Sequence, residues 1–329
     1  MHFNKMTATR VTLVAAMVGL GAIAVAVPAQ AALTTSCVGT ARNVTVPGDL
    51  VVPAGESCDL KNVVVKGQTT VRPDANLFAT GSTFSGAVTV RDNGYLELYK
   101  TSAAKSVTLS TAYGAYFENS TLRGNVTTAG GFVYSIGSSH TGRVVSTNGE
   151  TYVESGWLHQ SLTTNGDAYT DLTDTVINGK LAVADAKGGS VICTSEIDGN
   201  TTITGAGADG LVQIGTSGTI ADCGFNVFAA NVTLRNNHAP VTFSGNVVRG
   251  NLSCTGNDTK PTGSDNRVRG TSSGQCKHLS PTPAAVAPAA KAKAASPHDR
   301  ANAVLAKIAQ RSKAANDAAT AAGPATIGR

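Results

Sequence analysis

Comparable positions recur along this chain at Gly67, Gly86, Lys105, Gly124, Arg143, Gln160, Gly179 and Gly199, with successive gaps of 19, 19, 19, 19, 17, 19 and 20 residues. A period of that size constrains the fold more than any local propensity, because it means one structural unit stacked on copies of itself. Around each reference position apolar residues alternate, as in strands with one buried face. Two positions before the reference stand Phe84, Ala103, Leu122, Thr141, Leu158, Ile177 and Ile197; two positions after it stand Val88, Val107, Val126, Val145, Leu162, Leu181 and Thr201. Leu98, Phe117, Ile136, Val153, Leu172 and Ile192 make a third column. Asn93-Gly94, Asn148-Gly149 and Asn165-Gly166 fall between columns and suit corners that need a positive φ.

Three short strands and their turns in each unit describe an all-β chain wound into a parallel β-helix, a solenoid whose coils repeat at about 4.8 Å. No coil can bury its inward residues alone, so each needs the copy above and below. A β-sandwich also strings short strands together, but it has no reason to keep one residue class in register through so many units. Left-handed solenoids repeat a strict hexapeptide; the uneven gaps here favour a right-handed winding. From Asn43 to Cys254 the pattern resembles the secreted right-handed parallel β-helix proteins, the pectate-lyase-like superfamily, in a short-coiled form without a diagnostic catalytic motif. The coil length is also similar to that of the bactofilins, polymer-forming β-helices that are cytoplasmic and carry no export signal.

The chain begins with Lys5, Arg10, the apolar run VTLVAAMVGLGAIAVAV, Pro28 and Ala29-Gln30-Ala31. This order describes a secretory signal peptide over 1–31, cleaved after Ala31. No later stretch is long and apolar enough to span a bilayer, so a secreted, extracellular or wall-associated protein is expected. All six cysteines follow the cleavage site, and an even count in an exported chain implies disulfides. Of the fifteen connectivities that six cysteines allow, sequential pairing is the simplest: Cys37 with Cys58, Cys193 with Cys223, Cys254 with Cys276. The first and third pairs are separated by close to one coil, which brings them within bridging reach on neighbouring coils and places them at the ends of the β-helix domain, 32–277. Metal-ligand spacings such as Cys-x-x-Cys are absent, and neither metal nor cofactor is implied.

The net charge of +5 is uneven. The segment 277–329 carries a net +6, whereas the body from Ala32 to Cys276 carries a net −3. After the repeat stops, an Ala/Pro/Lys-rich linker, 278–296, cannot form a core. Ser296, Pro297 and Asp299 then give an N-cap, a first-turn proline and an early acid, and Gly323 a stop. A helix over Pro297–Ala322 is expected within a helical or disordered tail, 297–329, with a thin apolar stripe of Ala301, Val304, Leu305 and Ile308. Its basic residues suit electrostatic contact with an anionic envelope polymer. Nucleic acid is not an expected partner, because the tail has no aromatic side chain for base stacking.

Ligands of a solenoid lie along its flat faces. By the register above, His140 and Trp157 stack on adjacent coils, Arg123 and His159 share a column two coils apart, and Tyr116 and Tyr152 share another, while Tyr134 points inward. Arg123, His140, Tyr152, Trp157 and His159 are therefore the candidate binding residues, an aromatic and charged patch suited to a sugar ring. Glu154 and Asp171, on adjacent coils, are candidate catalytic carboxylates, since glycoside hydrolysis needs two acids roughly 5 to 9.5 Å apart. The polygalacturonase-like enzymes of the resembled superfamily use an Asn-Thr-Asp motif and an Asp-Asp pair, and its lyases a Ca²⁺-binding Asp cluster with an arginine. None of these occurs here, and a solenoid lacks the strand-to-helix elbow of a serine nucleophile. The expected function is a structural or adhesive envelope protein that binds carbohydrate or wall polymer. Alternatives are a polysaccharide lyase or glycoside hydrolase with a shallow groove, and a self-assembling surface fibre with incomplete end caps.

Overall fold

The computed structural model describes residues 33–216, 218, 220, 223–280 and 297–327. The signal segment and most of the linker lie outside them. The chain is an all-β parallel solenoid of three sheets, with 13, 11 and 12 strands, each strand pairing with its counterpart one coil earlier and one coil later. The first face runs from Thr34–Ser36 to Ser272–Gly274, the second from Gly39–Arg42 to Val241–Ser244, and the third, built mostly of two-residue strands, from Thr45–Val46 to Arg267–Val268. Inward side chains pile up as the repeat requires: Val88, Val107, Val126, Val144, Leu162 and Leu181 are mutual register partners on the first face, and all are buried.

The corners are chemical as well as geometric. Asn93, Asn148 and Gly166 adopt the positive φ expected of them. At the corner between the second and third faces, hydroxyls form a buried ladder: Ser82 accepts from the Val63 amide, Thr101 from Ser82, Ser120 from Thr101 and Ser138 from Ser120. Asn226, Asn246 and Asn266 continue it further along, each carboxamide oxygen accepting the backbone N–H of the ladder residue one coil earlier. Burying a corner amide without such a partner would cost on the order of 1–3 kcal/mol. Small polar residues at these positions therefore hold the winding together.

The three disulfides are Cys37–Cys58, Cys193–Cys223 and Cys254–Cys276, the sequential pairing expected, with Cα separations of 5.7, 4.8 and 5.1 Å. The middle one staples a loop inserted between the second and third faces back onto the second. There Ile220 and Cys223 pack with Val191, and Gln213 bonds both ways with the Ile220 backbone.

The expected register fails in one place. Gly124 is matched by Gly142, not Arg143, because two consecutive coils hold 18 residues instead of 19 and 17: Val126 pairs with Val144, which pairs with Leu162. A Cβ on Gly142 would stand 2.3 Å from the Gly124 carbonyl oxygen, the same close approach that Gly86 makes to Gly67. A slip of one residue exchanges the faces of every side chain in the coil. Val144 rather than Val145 is therefore the core residue, Ser135 rather than Ile136 lies under Phe117, and His140 rather than Thr141 falls between Leu122 and Leu158.

The tail folds as its caps predict. Helix α1 (Pro297–Ala322) ends at Gly323, whose φ is 78°. It lies along the second face, its Ala301, Val304, Leu305 and Ile308 stripe, extended by Ala315, packed on a row of aromatic rings. Arg300 meets Asp171 on one coil, and Gly323 meets Thr40 seven coils earlier. Rises of about 1.5 Å per helical residue and about 4.8 Å per coil both give roughly 34 Å for that span, so the helix keeps pace with the coils it crosses. No helix among the described residues is long and apolar enough to cross a membrane.

Candidate functional site

On the second face, Phe78, Glu97, Tyr116, Tyr134, Tyr152 and Asp171 form one outward column. Tyr95, Phe132 and Tyr169 lie in the column beside it. Tyr134, expected inward, stands between Tyr116 and Tyr152 because of the 18-residue coil. Ring centroids follow one another at 5.8 Å from Phe78 to Tyr95, 5.3 Å from Phe132 to Tyr134 and 5.4 Å from Tyr134 to Tyr152. Hydroxyls are held along the strand, Tyr95 donating to Glu97 at 2.7 Å, Tyr116 to Glu118 at 2.9 Å and Tyr152 to Glu154 at 2.7 Å.

This face is covered. Tyr134 and Tyr152 lie buried beneath α1, which anchors itself with two arginines. The Arg300 guanidinium is 2.7 Å from the fully buried Asp171 carboxylate, donates to the Gly188 carbonyl at 3.2 Å and sits over the Tyr169 ring. Arg311 donates to the Asn76 side chain and the Asn93 carbonyl and lies 4.4 Å over the Tyr113 ring. Burial pushes the Asp171 carboxyl up to about 6, and the neighbouring Arg300 only partly offsets it. Asp171 thus serves as the anchor of the helix, and Glu154 stands opposite Thr173 and accepts from the Tyr152 hydroxyl. Arg300 and Arg311, two of the basic residues expected to meet an anionic polymer, are thus engaged with the solenoid.

His140 also departs from expectation. It points into the core, 1% exposed, with Nε2 2.8 Å from Ser135 Oγ, its ring edge-on to Phe117 and no partner for Nδ1. Burial lowers its pKa to about 4, so it is neutral at pH 7. The sequence Gly270–Gly274, GTSSG, has the spacing of a nucleophile elbow, but Ser272–Gly274 is a first-face strand with no helix behind it.

The third face carries the rest. Trp157 is 52% exposed, and the His159 ring stacks on it at 4.5 Å. The indole Nε1 donates to Asn178 Oδ1 at 2.7 Å, and the Asn178 amide donates to Asp198 at 2.8 Å. Ser139, the register partner of Trp157, reaches His159 Nε2 at 3.3 Å. Arg123 is exposed and shares the His159 column two coils away, as expected. The patch therefore keeps Arg123, Trp157 and His159, loses His140 to the core and Tyr152 to the helix, and gains Ser139, Asn178 and Asp198. Tethered on both sides, the indole presents a fixed, flat apolar surface rimmed by donors and acceptors. No protein-family model, curated protein or solved structure matches this chain.

Proposed function

We propose that this is a secreted structural or adhesive protein of the cell envelope that holds carbohydrate or wall polymer on its third face, around Trp157. The observation that carries this reading is the stacked, hydrogen-bonded and half-exposed Trp157–His159 pair on the third face. Apolar contact with the face of a sugar ring, plus directed hydrogen bonds donated by Asn178 and Arg123 and accepted by Asp198, is the chemistry this grouping offers. Three disulfides fit an extracellular setting. Lysines of the tail and linker supply a non-specific attraction to anionic polymer, screened by salt. The test is retention on a panel of insoluble polysaccharides and wall preparations, compared between the native chain and Trp157→Ala. At least a tenfold loss of retention is expected; equal retention refutes the assignment.

A further inference from the structure

The two ends of the solenoid are finished differently. At the far end the chain folds over its own last coil: Cys276 is bonded to Cys254, the Gly263 N–H donates to the Ser280 carbonyl at 2.8 Å, and Leu279 packs against the core. At the near end no neighbouring segment among the described residues does this. The cover comes from the other extreme of the chain, where Thr40 donates its N–H to the Gly323 carbonyl at 2.9 Å and accepts from the Ala325 N–H at 2.7 Å. Pro324 thereby becomes a parallel partner of Thr40 on the edge of the second face. Ile327, 6% exposed, joins the solenoid core. The first strand of the second face, Gly39–Arg42, is shaped for this contact: a Cβ on Gly39 would lie 2.2 Å from the Gly323 carbonyl oxygen. Around the cap, Thr34–Ser36 and Thr45–Val46 are the outermost strands of the other two faces, and Leu33 stands 59% exposed beside them.

We propose that the second-face edge at the N-terminal end of the solenoid is a self-association surface shut in cis by residues 323–327, and that its partner, once uncovered, is the same edge of a second copy. An uncovered sheet edge offers a row of unpaired N–H and C=O groups and pairs with whatever edge it meets. Stacking head to tail would set this edge against an end where Thr262 already pairs with Thr242 and the disulfide-tied segment 276–280 crosses the last coil. Two identical near ends can instead meet about a twofold axis, which closes the assembly at a dimer and does not propagate a fibre.

The experiment compares the full chain, a chain ending at Ala322, and that shorter chain carrying Thr40→Pro, by light scattering coupled to size exclusion over a micromolar range. The full chain should be a monomer, the shortened chain should double in mass, and Thr40→Pro, which removes the edge N–H, should restore the monomer. A shortened chain that stays monomeric, one that grows into fibres under electron microscopy, or a full chain already dimeric would each overturn the proposal. If the shortened chain loses its cooperative melting, Ile327→Asp in the full chain takes its place, with doubled mass expected and a folded monomer overturning the idea.

Discussion

Replacing His140 by Leu should convert a stability that is nearly level between pH 6.5 and 4 into one that rises as the solution is acidified. The native state holds His140 neutral down to about pH 4, whereas its ordinary value is 6.5. The unfolded chain therefore binds this proton first, and stability falls as pH drops from 6.5 to 4. At 1.36 kcal/mol per pH unit the loss is about 3 kcal/mol. Asp171 runs the other way. Its native value of about 6 lies above the ordinary 3.8, so the native state binds the proton first, and stability rises by about 3 kcal/mol as pH falls from 6 to 3.8. Asp167, raised by burial against three donated hydrogen bonds, leans the same way as Asp171. These contributions offset one another in the native chain. Leucine fits position 140 because Leu122 and Leu158 stand on either side of it in the column; the pH-independent cost is the partner lost by Ser135, about 1 kcal/mol. Denaturant midpoints at pH 7, 6, 5 and 4 read the result. His140→Leu should gain about 3 kcal/mol across the window relative to the native chain, and Asp171→Asn should lose about as much. A His140→Leu profile parallel to the native one would refute the reasoning.

Other perturbations test the remaining parts. Arg300→Met leaves Asp171 buried without its cation, a loss of about 3 kcal/mol at pH 7.5 that should shrink below pH 6 as the carboxyl takes up a proton; melting temperatures at pH 7.5 and 5 decide it, and an equal loss at both would count against the ion pair. Ile308→Asp places a charge in the α1 interface, where a cost of about 2–4 kcal/mol is expected. Hydrogen exchange should then accelerate over residues 300–322, and unchanged protection there would show that the helix is not held by its apolar stripe. Replacing both Cys193 and Cys223 by Ser frees a loop of 30 residues, with an expected loss of about 3.6 kcal/mol in thermal unfolding; a melting temperature equal to the native one would refute the staple.

The period, the inward columns, the corners, the bridges and the bounds of α1 were legible because each is a local or strictly periodic signal. Gly323 and Ser296–Asp299 mark a helix wherever it docks, and Cys37 and Cys58 lie about a coil apart in any solenoid of this pitch. The site was less legible for two physical reasons. The Gly124–Gly142–Gln160 coils each drop one residue, yet their sum hides the change, since 18 and 18 amount to the same length as 19 and 17. One misplaced reference then turned His140 outward and Tyr134 inward. The second reason is that a helix carries no label for its partner: the stripe of Ala301, Val304, Leu305 and Ile308 was visible, and so were Tyr116 and Tyr152, but nothing periodic ties residue 300 to residue 171.

With the second face roofed by α1 and the stapled loop, the outward surface of the third face is the open one that bears an aromatic anchor. On the four coils before Trp157 the outward positions are small and polar, Thr83, Ser102, Thr121 and Ser139, and the coil after it carries Val176, so the column itself does not call for an indole there. Half-exposed, it leaves on the order of 2–3 kcal/mol of burial unrealised, which a flat apolar partner could supply. Because Trp157 is the single tryptophan of the chain, its fluorescence reports on that surface alone. Titration with soluble oligosaccharides of a retained polymer should shift the emission to the blue and slow quenching by iodide, and His159→Ala should weaken both effects. Saturable binding that leaves the emission and the quenching untouched would move the ligand off the third face.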